Sequence, residues 1–103
     1  MRKFISLAAA LTLGTTGAFA ASSTHLDGSN LLPQAKITLA KARATALATR
    51  PGKITDQELE KERGGTGLRY SFDIKSKGKT FEVGVDARTG KVLENDGEGP
   101  NPD

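Results

Sequence analysis

Four acids at a spacing of two, Asp56, Glu58, Glu60 and Glu62, are the residues of this chain whose type and pattern most invite chemistry. On an extended strand, side chains at i, i+2 and i+4 share a face, so these carboxylates would form a row able to take a divalent cation or pass a proton. Lys61, Arg63 and the lysines of the neighbouring turn can neutralise them, and edge strands commonly carry charge that discourages sheet-to-sheet aggregation. A solvated face is the expected role, with Glu58, Glu60 and Glu62 as the candidate metal ligands. His25, the single histidine, has no cysteine and no second histidine to share a metal with, and reads as a solvated residue. A third group, Asp86, Thr89 and Gly90, reads as a built turn: Asp86 accepts from the turn amides, the Thr89 hydroxyl caps it, and Gly90 supplies a positive φ. The chain has no cysteine and no tryptophan, and no serine is placed with a base. Nucleophile, base and orienting group therefore cannot be assembled, which argues against an enzyme and calls for no cofactor.

The elements that would carry these residues are readable from periodicity. Leu68, Tyr70, Phe72 and Ile74 alternate with polar residues, as do Phe81, Val83 and Val85, giving two strands with one apolar face. Gly78 between them suits a short hairpin, and the glycine turn at residues 86–90 feeds Val92 and Leu93 into a short further strand. Upstream, Leu39, Ala42, Ala46 and Leu47 fall on one face of a helix over residues 38–49, with Thr38 as its N-cap and Ile37 before it as a staple. Pro51 and Gly52 stop it. About three turns of helix do not persist alone in water, so this one must lie on the apolar face of the strands, with Lys41, Arg43 and Arg50 on its wet side. Residues 53–63 have only Ile54 and Leu59 as apolar positions, five apart, which predicts an edge strand with a bulge between them. The expected fold class is α+β, one short helix on a three- to four-stranded antiparallel sheet. The expected core is Leu39, Ala42, Ala46, Leu47, Leu59, Leu68, Tyr70, Phe72, Ile74, Phe81, Val83, Val85, Val92 and Leu93.

Residues 1–20 read as a signal peptide: Arg2 and Lys3 precede a short apolar run, and Ala18, Phe19 and Ala20 end it with small residues where a signal peptidase reads. The run is too short to span a bilayer, so no stable membrane span is expected after cleavage. The predicted product has 13 basic and 12 acidic residues, close to neutral, and its cations are scattered among acids, which argues against nucleic acid as a partner. Residues 21–34 read as a flexible leader and residues 95–103 as a disordered tail, leaving one small domain between them.

The order of these features resembles the PepSY domain, the small secreted module also found in propeptides of thermolysin-like metallopeptidases. The most telling stretch is Val85-Asp86-Ala87-Arg88-Thr89-Gly90-Lys91-Val92-Leu93, similar to the family's closing VDAxTGxVL, and the resemblance covers residues 35–94. One departure is at the helix start, where Thr38 is followed by Leu39, Ala40 and Lys41, so the family's capping-box acid is missing. The resemblance implies a non-enzymatic periplasmic or secreted interaction module that inhibits or chaperones a peptidase or binds another exported protein; a monomer is expected. The strand at residues 53–63 is the sheet edge expected to pair with it. The alternative is a stand-alone ligand- or cation-binding protein using the acids of that strand.

Overall fold

The computed structural model describes residues 25–97. Helix α1 (Leu39–Thr49) is followed by strands β1 (Lys53–Lys61), β2 (Leu68–Ser76), β3 (Lys79–Asp86) and β4 (Val92–Gly97), and a 3₁₀ helix at Ser29–Gln34 precedes them. The strands form one antiparallel meander in the order β1-β2-β3-β4, with α1 packed across β2 and β3 on one face. This is the expected α+β arrangement, one helix on a four-stranded antiparallel sheet.

Local chemistry explains each element. The Thr38 hydroxyl accepts from the Lys41 amide at 3.1 Å and starts α1, and the Arg50 amide closes it on the Ala46 carbonyl. Ala42 and Ala46, four apart and fully buried, are small enough to let the helix lie close over the sheet. Beneath them Leu68, Tyr70, Phe72, Ile74, Val83 and Val85 are all fully buried, and the Tyr70 and Phe72 rings stack at 6.3 Å. Lys77 and Gly78, with φ of 53° and 82°, make the left-handed pair that closes the β2–β3 hairpin with the sheet's own twist.

The bulge expected in β1 lies between Ile54 and Asp56, and it resets parity so that Ile54 and Leu59 both reach the core. The same reset turns Gln57 inward, 1% exposed, where its Oε1 accepts from Arg43. Arg43 is thus half-buried and not on the wet side; Arg50, also expected there, lies over the Phe81 ring at 3.9 Å.

Several core assignments change. Val92 is 41% exposed and Leu93 only half-buried, because a register shift between Gly84 and Val85 leaves an extra residue in β4. Phe81, Leu39 and Leu47 are half-buried at the margins of the helix contact, whereas Ile54, Ala87 and Leu26, outside the expected core, are buried. Leu26 belongs to the stretch expected to be a flexible leader. Residues 25–34 instead lie along β1: the Asp27 amide bonds the Gln57 carbonyl, the Leu59 amide bonds the Asp27 carbonyl, and Leu31 packs against the core. Asn95, Asp96 and Gly97, expected in the tail, belong to β4, where they lie opposite Val83, Glu82 and Phe81 of β3. The predicted signal peptide and the remainder of the predicted tail lie outside the described residues.

Candidate functional site

The turn after β3 is the most heavily bonded point of the fold. Asp86, 1% exposed, accepts four hydrogen bonds: from the Thr66 amide at 2.7 Å, the Arg88 amide at 2.8 Å, the Thr66 hydroxyl at 2.9 Å and the Thr89 amide at 3.1 Å. Burial alone would raise its pKa, but these donors outweigh burial and pull it down to about 2. The expected turn chemistry is present, since Gly90 has φ of 83° and the Thr89 hydroxyl accepts from the Lys91 amide. Sequence reasoning missed that the same carboxylate also holds the loop before β2. Gly65 of that loop passes so close that a Cβ there would stand 2.2 Å from Asp86 Oδ2. Around it, the Ala87 carbonyl accepts from the Lys36 and Ile37 amides, and Arg88 donates to the carbonyls of Gln34 and Thr66. One acid therefore joins the β3–β4 turn, the β1–β2 loop and, through its neighbours, the approach to α1. Its oxygens are taken up by this work, which makes the role structural.

The sheet face away from α1 carries the acids singled out from spacing. Asp56, Glu58 and Glu60 do share it, opposite Asp73, Ser71 and Arg69 of β2. Glu62 does not continue the row, because β1 ends at Lys61 and the Glu62 amide turns to bond Gly67. Burial, then Glu60, Asp27 and Asp56 nearby, pushes the Glu58 carboxyl up, and Glu60 accepts from the Ser71 hydroxyl at 2.7 Å. Among the described residues no three acids or histidines converge as a metal site would require. His25 bonds Asp27 at 2.9 Å, with both side chains about half exposed.

Arg69 is the centre of this face, and spacing had marked it only as an outward strand residue. It is 8% exposed, crosses β3 over Gly84, and reaches Glu94 of β4 at 3.2 Å and the Arg63 carbonyl at 3.0 Å. Gly84 leaves the space for this, since a Cβ there would stand 3.1 Å from the guanidinium. Glu94 is nonetheless pushed up, first by burial and then by Asp96, Glu62 and Glu60, against the pull of Arg69. One guanidinium thus bonds Glu94, with Asp96, Glu62 and Glu60 near enough to act on that carboxyl, and the face as a whole is acidic.

The two sheet edges differ. On β1 the outward backbone groups of Gln57 and Leu59 are bonded by Asp27, and Gly28 passes so close to the Leu59 carbonyl that a Cβ would stand 2.0 Å from it. The edge expected to receive a partner is therefore occupied in its middle by the chain itself. Between the 3₁₀ helix and α1 a groove of about 440 Å³ is lined by Leu32, Ala35, Ile37, Leu39 and Tyr70, whose hydroxyl donates to the Ile37 carbonyl at 2.7 Å. No helix among the described residues is long and apolar enough to cross a membrane.

Compared with known proteins, residues 36–96 match the PepSY family, described as the peptidase propeptide and YPEB domain. Neither a curated protein nor a solved structure matches the chain.

Proposed function

The chain belongs to the PepSY family, and on that premise we propose that it is an exported, non-enzymatic module that binds a peptidase and restrains it in the manner of a propeptide. The observation that carries this reading is the match over residues 36–96 to a domain described by its occurrence in peptidase propeptides. The internal chemistry agrees with it. Several buried polar groups hold the fold: Asp86 bonds its turn and loop, the Tyr70 hydroxyl bonds Ile37, and two guanidinium nitrogens of Arg69 bond Glu94 and the Arg63 carbonyl. What is left for a partner is surface, in the form of an acidic sheet face and a sheet edge.

The test is to measure initial rates of purified metallo-, serine and cysteine peptidases on a peptide substrate with increasing amounts of the protein. The expected result is that at least one class, the metallopeptidases first, is slowed in a saturable way while the protein remains uncleaved. If no class is slowed and none binds on a sensor surface, the peptidase reading fails. A melting temperature that instead rises with added divalent cation, and falls back when Glu58 and Glu60 are changed to Ala, would establish cation binding in its place.

A further inference from the structure

We propose that the open edge of β4 accepts an extended segment of a partner protein with Lys or Arg at alternate positions. The hydrogen-bonding parity of the meander leads there. The hairpin closes on Ser76 and Lys79, so residues 81, 83 and 85 turn their backbone groups toward β2 and residues 82 and 84 toward β4. Glu94 and Asp96 then bond inward to β3, and Asn95 and Gly97 turn N–H and C=O outward. The same parity puts Gln57 and Leu59 outward on β1, where Asp27 is found bonding them. Between the two edges, only β1 has its outward amides and carbonyls bonded by another part of the chain among the described residues.

The side chains of β4 decide what kind of strand fits. Asn95 faces the helix side, where Arg50 donates to its Oδ1 at 3.3 Å. Glu94 and Asp96 face the other way, and Glu60 and Glu62 lie near enough to Glu94 to push its carboxyl up. A strand added to β4 would therefore set alternate residues beside Glu94 and Asp96, at the rim of a face whose central cation, Arg69, is already engaged. Cations at those positions are attracted, and acids are repelled. This excludes the simplest occupant, a second copy of the chain. Pairing two β4 strands antiparallel about Asn95 would place Glu94 of each directly beside Asp96 of the other. The acids that keep this edge from joining its own kind are the ones that select a basic strand.

The inference deepens the reading as an interaction module by naming where and to what it binds, and its test contains no peptidase, so either can fail without the other. The probe is a labelled octapeptide alternating lysine and threonine, with the glutamate–threonine analogue as control, titrated into the protein by fluorescence anisotropy. Amide exchange is followed on the same complex. The expected result is binding of the lysine peptide alone, weakening as salt is raised, with new protection at the amides of Asn95 and Gly97. Asp96→Lys should weaken it about tenfold or more. Asn95→Pro removes an outward donor that the ladder to β3 does not use, together with the exposed side-chain contact to Arg50, so it should keep a cooperative melt close to that of Asn95→Ala and abolish protection at the edge. Failure of the lysine peptide to bind, equal binding of the glutamate peptide, protection on β1 instead, or undiminished affinity in either variant overturns the assignment.

Discussion

Changing Asp86 to Asn keeps the size of the side chain and removes its charge. The carboxylate has one oxygen, Oδ1, that accepts three bonds and another, Oδ2, that accepts the Thr66 amide at 2.7 Å. An asparagine can keep the first oxygen only by aiming its own N–H at the Thr66 amide, leaving two donors face to face in a site 1% exposed. The magnitude follows from the ionisation itself: a shift from 3.8 down to about 2 is nearly two units, or roughly 2 kcal/mol favouring the ionised form in the folded state. The lost bond from the Thr66 amide is one of the causes of that shift, so the expected loss at neutral pH is about 2 to 3 kcal/mol. That is a large part of the ~4 to 11 kcal/mol typical of a domain of this size. Because the folded pKa is depressed, the contribution is present above pH 3.8 and is lost as the pH falls toward 2. The assay is urea unfolding of both proteins at pH 7, 5, 3 and 2. The gap between them should be full at pH 7 and 5, narrow at 3 and be mostly closed at 2. A gap under about 1 kcal/mol at pH 7, or one that is as wide at pH 2, refutes the account of Asp86 as an ionised tie.

Gly65→Ala should mimic that loss in part, since it forces a Cβ against Asp86 Oδ2 at a backbone φ of 56°; its cost combined with Asp86→Asn should fall short of the sum, which a double-mutant cycle reads directly. Phe72→Ala should cost about 3 to 5 kcal/mol and leave little cooperative melt, whereas Phe81→Ala, half-buried under Arg50, should cost clearly less; equal losses would contradict the burial described above. Lys41→Glu restores an acid at the third position after the Thr38 cap, and should raise stability by about 0.5 to 1 kcal/mol, seen as an upward shift of the melting temperature. Glu58 has the opposite sign to Asp86: its raised value means that the fold is favoured by its protonation, so Glu58→Gln should raise stability at pH 7 and do little below pH 4.5, read from urea unfolding at the two pH values.

The strand and helix segments, their order and the turns between them were legible in the sequence because each rests on short-range rules. Alternation of two wrote β2 and β3, a threonine cap and a Pro-Gly exit bounded α1, and the mismatched spacing of Ile54 and Leu59 demanded the bulge that β1 has. The resemblance carried by residues 85–93 was legible for the same reason, since Asp86, Thr89 and Gly90 bond their own neighbours.

What tertiary structure alone decided lies at longer range. Nothing in the spacing of residues says that Asp86 will also hold Thr66, twenty positions earlier, or that Arg69 will cross a glycine in β3 to reach Glu94. The register shift opposite Val85 exposed Val92, and the parity set at Thr55 buried Gln57, because a single extra residue reverses every side chain beyond it. The polar stretch before α1 read as loose because it has few apolar residues, yet β1 offered unpaired backbone groups and Asp27 took two of them. That one bridge distinguishes the two edges of the sheet among the described residues, because a backbone donor can be used by the chain or by a partner but not by both.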